Sequence, residues 1–458
     1  MSDPSLAAAR RRRPALALVA VVVAAIGGLA ATGCGGDDPP TAVPPAPGPV
    51  EPAPNPGTGI ATAAPIPILG QGVVTTRFNA EVTVHPAGTH AYTSTWGRRS
   101  GSVVGNVVHV WDVRGDRPVL VDSLAVDERI GATGVTTTGD VQVSDDGRLL
   151  VVATEPAGHL ALYALDDPAR PRLVTRWSSP SVASGVHTAQ LARVAGRPYV
   201  FCAVNPRAGQ GARLVIVDVG DPAAPREVWQ QAMGDPFVHD VFVRDGVLMT
   251  ANWNEGLVVW DLGGVGRGGT PTAPVRVGAV RTVAVDQRAG PSVHNVWWLH
   301  HAGQRRYAVV GEESAVGLAI GNASAGDVHV VDIGDLTRPE TWREVAFLNV
   351  PRAGAHNFVA DEERGTLYAA FYNGGVRALD LRGDLGACTA GQRAADGRCD
   401  LRRMGREIGV ALAGTPTTTD PRTGTAHAPF VWGVDRVGAH VYASDMMGGV
   451  WKLRALGR

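Results

Sequence analysis

Four histidines occupy the same position of a repeated sequence unit. They stand directly before a short strand-forming segment, in the pairs His187-Thr188, His239-Asp240, His294-Asn295 and His356-Asn357. A neutral imidazole is a good ligand for zinc, copper, iron or nickel, so four imidazoles brought together would form a transition-metal site. Two other roles fit the pattern: hydrogen bonding to a loop backbone group at each strand start, and contact with an organic ligand or a partner loop. The sequence therefore predicts a shared location and leaves open what is bound there.

Further candidates lie next to the histidines in the repeat. Asp240 follows His239, and Trp432 occupies the histidine position in the last unit. The loop between the second and third strands of each unit is expected at the same end of the fold, where it supplies carboxylates. A concave mouth with histidines, carboxylates and aromatic rings is typical of a ligand site. The candidate ligand- or metal-binding set is His187, His239, His294, His356, Asp240, Glu255, Glu312, Trp432 and Asp445.

No catalytic motif accompanies these residues. The sequence has neither a His-Glu-x-x-His zinc motif nor a Gly-x-Ser-x-Gly elbow. Gly264, Gly266 and Gly269 match a dinucleotide pattern, but Thr-Pro-Thr-Ala-Pro follows them and a helix does not. Lys452 is the single lysine, so no other lysine is available for a phosphate-binding loop or a Schiff base. We therefore assign no catalytic residue. A binding role is favoured over an enzymatic one, and a transition metal is the only candidate cofactor.

The histidines are positioned by a repeat whose clearest copy is Leu214-Val215-Ile216-Val217-Asp218, followed by Gly-Asp-Pro-Ala-Ala-Pro. Degenerate copies begin at His109, Ala161, Leu257, Val328 and Val376. Runs rich in β-branched residues between Gly, Pro and Asp indicate strands, and recurrence at this length indicates one supersecondary unit used many times. Seven units of four strands predict an all-β fold, a seven-bladed β-propeller. Six or eight blades are the alternatives.

The ends of the repeat array indicate a closed ring. The last unit has strand-forming segments at 433–434, 439–444 and 449–453 and stops one strand short, whereas 66–75 forms a strand without a unit. Together they would complete the last blade and close the ring with the N-terminal strand. The predicted propeller spans 66–458, with a cysteine-bounded insertion near 382–407.

The segment Leu214-Val215-Ile216-Val217-Asp218, with Asp221-Pro222 after it, resembles the signature of the LVIVD-repeat family of exported bacterial and archaeal β-propellers. The resemblance covers roughly residues 66–453 and is strongest in the third unit. It implies a propeller fold and a cell-surface setting. Because that family has no well-established shared activity, the resemblance transfers no catalytic residue.

The N-terminus has the features of a targeting segment. Arg10, Arg11, Arg12 and Arg13 precede an almost uninterrupted apolar stretch, and small residues lead to Cys34. This pattern predicts a lipoprotein signal peptide at 1–33, with Cys34 as the acylated residue. The Pro-rich segment 34–65 is predicted to be a flexible tether. An uncleaved signal anchor, or ordinary secretion with a spare cysteine, is the alternative. In each case the body is exported, to the periplasm or the cell surface.

Charge and cysteines define the remaining expectations. The formal net charge of −1 gives no reason to expect a nucleic-acid partner. In an oxidising compartment Cys388 and Cys399 are expected to form a disulfide across their loop, with a metal site less favoured because no histidine is near. Cys202 lies in an apolar run and is expected to be a buried free thiol. The expected partners are the membrane, through the lipid anchor, and a protein, glycan or small ligand at the propeller face of a monomer.

Overall fold

The computed structural model describes residues 63–97, 104–127, 135–206, 211–234, 237–284, 292–313, 324–412, 418–419, 426–427 and 429–457. The predicted signal peptide, Cys34 and almost all of the predicted tether lie outside these ranges. No helix in the described ranges is long and apolar enough to cross a membrane.

The described chain forms seven four-stranded antiparallel sheets, which we number as blades 1 to 7. Blade 1 contains Phe78–Val84, His90–Trp96, Val107–Asp112 and Val119–Ala125. Blade 2 contains Val141–Val143, Leu149–Ala153, Leu160–Ala164 and Arg172–Trp177. Blade 3 contains Val186–Val194, Arg197–Val204, Ala212–Asp218 and Arg226–Gly234. Blade 4 contains Val238–Arg244, Val247–Asn252, Gly256–Asp261 and Val275–Val280.

Blades 5 to 7 carry the additions to this plan. Blade 5 contains Val293–Trp298, Tyr307–Glu312, Val328–Asp332 and Arg343–Leu348, with Cys399–Asp400 added in parallel at its outer edge. Blade 6 contains Phe358–Asp361, Thr366–Ala370, Val376–Asp380 and Glu407–Ala411, with Ala64–Pro65 added in parallel. Blade 7 contains Val431–Val437, His440–Asp445, Gly449–Arg454 and the N-terminal strand Ile68–Val73. Two short pairs, Val135–Thr137 with Glu155–Pro156 and Thr418–Thr419 with Ala426–His427, lie outside the blades, as do 3-10 turns at Pro339–Thr341 and Ala390–Gln392.

The first strands of neighbouring blades contact one another around a complete ring, from blade 1 through blade 7 and back to blade 1. The prediction of a seven-bladed all-β propeller, closed by the N-terminal strand, is therefore confirmed. Described residues before the predicted boundary at residue 66 also belong to the propeller, because Ala63 is buried and Ala64–Pro65 pair with the outer strand of blade 6.

The core lies between the blades. An apolar cluster separates each neighbouring pair, and the repeat strand Leu214–Asp218 contributes to two of them. Leu214 and Ile216 pack toward blade 4, whereas Val215 and Val217 pack toward blade 2. A strand buried on both faces is expected to be a continuous apolar run, which explains the sequence of the repeat. Asp218 ends the strand, and its carboxylate accepts a hydrogen bond from the Gly220 N–H (2.9 Å).

The predicted cysteine chemistry is also present. Cys388 and Cys399 form a disulfide in the insertion between the third and fourth strands of blade 6. Cys202 is a buried free thiol, and burial raises the pKa of that thiol.

A β-bulge at the start of the first strand positions the candidate site. The pairing register shifts by one residue between Val186 and Thr188 in blade 3, and in the same place in blades 4, 5 and 7. A bulge adds one residue to a strand and re-aims its side chain. The added residues are His187, His239, His294 and Trp432.

Candidate functional site

The four repeat-equivalent histidines form a continuous arc at one end of the central channel, which we call the histidine end. Their ring centroids are 4.4 Å apart for His187 and His239, 4.1 Å for His239 and His294, and 3.9 Å for His294 and His356. His187 is 9% exposed and the other three are 1% exposed. The shared location predicted from the repeat is thus observed, but the imidazoles are buried and do not line an open mouth.

The hydrogen bonds of three rings define which nitrogen carries the proton. The Nδ1 of His239 lies 3.1 Å from the His294 carbonyl oxygen, and the Nδ1 of His356 lies 2.7 Å from the Trp432 carbonyl oxygen. A carbonyl oxygen only accepts, so both Nδ1 atoms donate. Likewise the Nδ1 of His187 lies 3.0 Å from Glu155 Oε1. In a neutral imidazole the other nitrogen, Nε2, then presents a lone pair.

Burial keeps the imidazoles of His239, His294 and His356 neutral. It lowers the pKa of His239, His294 and His356 well below 6.5, and neighbouring imidazoles of the cluster lower each of them further. Neutral imidazole is the form that binds a metal ion. The burial that makes protonation costly thus prepares the nitrogens for coordination.

Two of the Nε2 atoms face each other at short range. The Nε2 of His187 and the Nε2 of His239 are 2.9 Å apart. An imidazolium form of His187, paired with Glu155, would donate its Nε2–H to His239 across this distance, whereas a neutral His187 leaves two lone pairs facing each other, which a bound cation would bridge. Two nitrogens bound at about 2.0–2.1 Å to one ion are about 2.9 Å apart when the angle at the ion is close to 90°. The observed separation therefore has the geometry of two ligands of one ion.

Other donor atoms converge on the same place. His239, His294 and Glu313 each offer a ligand atom, and these atoms lie within 4.8 Å of one another. The Nε2 of His294 is 3.7 Å from Glu313 Oε2, too far for a hydrogen bond. The Nε2 of His356 has no hydrogen-bond partner among the described residues. The Tyr372 hydroxyl donates to Glu313 and orients that carboxylate.

The space beside the rings is small. A cavity of about 20 Å³ is lined by all four histidines together with Glu81, Glu155, Trp96 and Trp432 among others. A site of that size holds a water molecule or a single ion, since about 10–15 Å³ is needed for one water. A glycan or a peptide does not fit at the imidazoles themselves.

Aromatic rings complete the histidine end. Trp432 stacks beside His356 with ring centroids 4.6 Å apart, and Trp253 lies 5.3 Å from His239. Phe237 is 5.3 Å from His239, and Tyr372 is 4.9 Å from His356. These rings are at most 7% exposed. They exclude water from the imidazoles and lower the local dielectric constant, which strengthens electrostatic interactions at the site.

Solved structures with a similar fold are β-propellers. The C-terminal WD40 domain of Sif2 aligns with a TM-score of 0.53 at 9% identity, covering 87% of this chain and all of that domain. The β-propeller domain of Cps50 (Swd1) from Myceliophteria thermophila aligns with a TM-score of 0.50 at 12% identity, covering 84% and 98%. The chain is a β-propeller. At these identities the likeness concerns the fold alone.

No protein-family model matches the sequence, and no curated protein matches it. The resemblance of this propeller to the LVIVD-repeat family therefore stays a prediction.

The other selected residues are distributed unevenly. Trp432 lies in the histidine cluster, and Asp240 lies in the next layer of the channel. Glu255 instead accepts a hydrogen bond from Asn252 (2.9 Å) and pairs with Arg276. Asp445 accepts the N–H groups of Phe430 (3.0 Å) and Met447 (3.1 Å), as a turn-capping residue does.

Glu312 is also directed away from the four imidazoles. It belongs to a second buried cluster, in which its Oε2 is 3.1 Å from His329 Nε2. The opposite nitrogen of His329 is 2.7 Å from Glu344. Burial opposes protonation of His329, but Glu312 and Glu344 outweigh it and hold the pKa of this imidazole well above 6.5. Thr282 donates to Glu312 (2.6 Å) and Arg398 pairs with Glu344, so the cluster is a buried ion-pair network in which His329 and Arg398 face Glu312 and Glu344.

Glu81, Glu155, Glu313 and Tyr372 are the site residues that sequence reasoning did not select. Glu155 and Glu313 follow the second strands of blades 2 and 5, so their loop placement was a usable signal. Glu312 and Glu313 are consecutive, however, and adjacent residues of an extended segment point in opposite directions. The sequence contains no signal that distinguishes them.

A larger cavity lies below the histidines. The central channel encloses about 640 Å³ and is lined by polar side chains of the first strands, including Glu81, Asp140 and Asp240. Burial raises the pKa of all three carboxyl groups, and Asp140 raises those of Glu81 and Asp240 further. The pKa of Asp240 reaches about 7.

Proposed function

We propose that this protein is a metal-binding β-propeller that holds one divalent transition-metal ion at the histidine end of its channel. The observation that carries the proposal is the 2.9 Å approach of the His187 and His239 Nε2 atoms, whose partners on Nδ1 are both acceptors. The two nitrogens are close enough either to share a proton or to bind the same cation. A metal ion with imidazole preference satisfies both nitrogens at once.

The ligand set follows from the converging atoms. His187, His239 and His294 supply imidazole nitrogens, and Glu313 supplies a carboxylate oxygen. His356, with its Nε2 directed into the same small cavity, is a further ligand for a metal of higher coordination number. Glu155 and the His294 and Trp432 carbonyl oxygens act as positioning groups, since they fix the rings through Nδ1.

Metal analysis of the full chain, purified without a histidine tag, tests this function. We expect about one equivalent of a divalent transition metal, lost in a His239→Gln variant. His440→Gln is the matched control, because His440 lies on the second strand of blade 7 outside both cavities. Absence of stoichiometric metal in the unaltered protein, with unchanged stability in chelator, contradicts the proposal.

We further propose that the propeller is exported and lipid-anchored through Cys34. The support is the sequence: the basic residues at 10–13, the apolar stretch that follows, and the Pro-rich segment after Cys34. The Cys388–Cys399 disulfide suits an oxidising compartment. In this setting the protein acts as a monomer without a nucleic-acid partner, in keeping with its net charge of −1. Cys34→Ser should abolish acylation and membrane retention, and identical localisation of that variant would refute the anchor.

A further inference from the structure

The small cavity at the histidines and the large channel share a wall. Glu81, Thr188 and Asn357 line both spaces. Glu81 and Thr188 belong to the first strands of blades 1 and 3, and Asn357 directly precedes that of blade 6; all three follow the histidine position of the repeat. The channel thus ends at the imidazoles, with one layer of polar side chains between them and its full volume of about 640 Å³.

This intervening layer carries an excess of carboxylates. Glu81 and Asp140 are buried, Asp240 is half-buried, and the three lie close enough to perturb one another electrostatically. Glu81 also approaches the histidine cluster, because its Oε1 is 3.9 Å from His356 Nδ1. Carboxyl oxygens grouped in a confined, low-dielectric space offer ligands to a small cation.

The basic residues lining the channel do not cancel this charge. Arg193 pairs with Asp146 (2.9 Å), Arg244 with Glu362 (2.5 Å) and Arg436 with Asp361 (2.7 Å). None of these three acidic partners lines the channel. Each guanidinium therefore has a carboxylate partner outside the channel, which Arg436 shares with Arg364, whereas within the described residues no arginine or lysine forms an ion pair with Glu81, Asp140 or Asp240.

The opposite side of the histidines is covered. Trp253, Phe237, Tyr372 and Trp432 pack against the rings and are at most 7% exposed. The described carboxylates at this end, Glu155 and Glu313, already contact His187 and Tyr372, and the aromatic rings beside them offer a hydrated divalent ion few atoms to exchange for water. The carboxylates of the channel offer such atoms at every step of the exchange.

We propose that the acidic channel is the entry path of the metal ion: a hydrated divalent cation enters from the end opposite the histidines, passes the layer of Asp140, Asp240 and Glu81, and is handed to the imidazoles. This inference rests on the proposed metal-binding function. It adds a direction of loading and assigns the carboxylates a kinetic role.

The polar layer also has a structural role, which guides the choice of variants. Asp140 Oδ2 accepts the Ala189 N–H (3.0 Å) and so links blades 2 and 3. Asp435 Oδ2 accepts the Val84 N–H (2.7 Å) and links blades 7 and 1. Asp240 accepts hydrogen bonds from the Val241 N–H and from the Thr188 hydroxyl of blade 3, and asparagine keeps an acceptor oxygen there. Asp240→Asn is therefore the charge variant of choice.

The test is stopped-flow loading of the full-length apo chain in detergent with Co²⁺, whose visible absorption reports imidazole coordination. We expect Asp240→Asn to slow loading by about threefold to tenfold and to weaken its dependence on ionic strength. A second variant, Gln142→Trp, obstructs the channel and should slow loading and release together by at least about tenfold, leaving equilibrium metal content unchanged. Asp166→Asn removes the same charge from an exposed pair with Arg172 (3.0 Å) and should load like the unaltered protein.

The possible outcomes separate the two proposals. If cobalt binds at equilibrium but both channel variants load and release at unaltered rates, the entry path is wrong and the metal site stands. If neither the unaltered chain nor any variant takes up cobalt stoichiometrically, the proposed function itself fails. Equal slowing by Asp166→Asn and Asp240→Asn also overturns the entry path, because the effect would then reflect overall charge.

Discussion

Two buried clusters of histidine and glutamate lie in blade 5 and its neighbours, and they behave oppositely. In the first, His239 and His294 are neutral, and the His239 Nε2 lies 2.9 Å from that of His187. In the second, His329 lies between Glu312 and Glu344 and its pKa is raised well above 6.5. Both clusters combine histidine with glutamate, and both are buried. Only the arrangement of counter-charges differs.

The comparison separates ligand sites from structural ion pairs. A histidine between two carboxylates uses both nitrogens as donors, so it has no lone pair for a metal. A histidine whose Nδ1 donates to a backbone carbonyl keeps Nε2 as an acceptor, as His239 and His356 do. Both clusters contain donor atoms within 4.8 Å of one another. Proximity of donor atoms alone therefore does not identify a metal site.

The strongest test of this difference is to break the charged cluster. His329→Gln leaves Glu312 buried without its cationic partner, while Glu344 keeps Arg398, and this should lower the free energy of unfolding by about 3–5 kcal/mol. Urea denaturation measures this, with His440→Gln as a control that changes it by less than about 0.5 kcal/mol. Metal content should not change. Loss of metal in His329→Gln would show that the second cluster is a ligand site as well.

Metal removal should affect the first cluster only. A bound ion stabilises the folded state by about 2.7 kcal/mol at a free concentration one hundred times its Kd, and chelator should remove that contribution. In His239→Gln the free energy of unfolding should be the same with and without metal. His329→Gln should retain the metal-dependent increment. A metal response that survives in His239→Gln would place the ion elsewhere.

The adjacent glutamates give a finer test. Glu313→Gln should weaken metal affinity by about tenfold, because it removes a charged donor beside His294. Glu312→Gln should leave metal affinity unchanged and instead destabilise the fold, because Glu312 pairs with His329. Titration with a competing chelator measures the first effect. Equal affinities in the two variants would contradict the assignment of Glu313.

The pH dependence of stability should have opposite sign in the two clusters. The pKa of His294 is lowered, so the unfolded apo chain binds a proton that the folded imidazole does not, and stability is lost as pH falls below about 6.5. His294→Gln should reduce this slope by about 1.4 kcal/mol per pH unit. The raised pKa of His329 gives stability that is complete below about pH 6.5 and lost as pH rises through that pKa.

Denaturation of the two variants across pH 5 to 9 compares these slopes, with pH 6.5 taken as the ordinary histidine value. His294→Gln should flatten the acidic side and His329→Gln the alkaline side. If His294→Gln leaves the acidic slope as it is, His294 is not held neutral by its surroundings.

Much of the fold was predictable because it depends on local pattern. The run Leu214–Asp218 is buried on both faces between blades, and such a strand must be apolar throughout. The unpaired segment at 66–75 and the incomplete last unit indicated closure, which the pairing of Ile68–Val73 with Gly449–Arg454 confirms. The loop disulfide followed from the spacing of Cys388 and Cys399 together with the predicted export of the chain.

The candidate site was predictable only in part. The histidines share one repeat position, so their common location followed from the alignment of units. Glu255, Glu312 and Asp445 were selected by loop position, but the structure does not bring them to the imidazoles. Successive side chains of an extended segment point to opposite sides. At a bulge or a loop this alternation is interrupted, and the sequence alone does not specify which side a given residue faces.

The sequence by itself predicted seven blades and the ring closure, and it determined the four histidines that share one position. Only the tertiary structure decided their chemistry. The Nε2 atoms of His187 and His239 come from different blades, and burial and the acceptor on each Nδ1 act through space. The separation of the Nε2 atoms, the burial of the rings and the acceptor on each Nδ1 decide whether an imidazole binds a metal ion or carries a positive charge. None of the three follows from the spacing of residues along the chain.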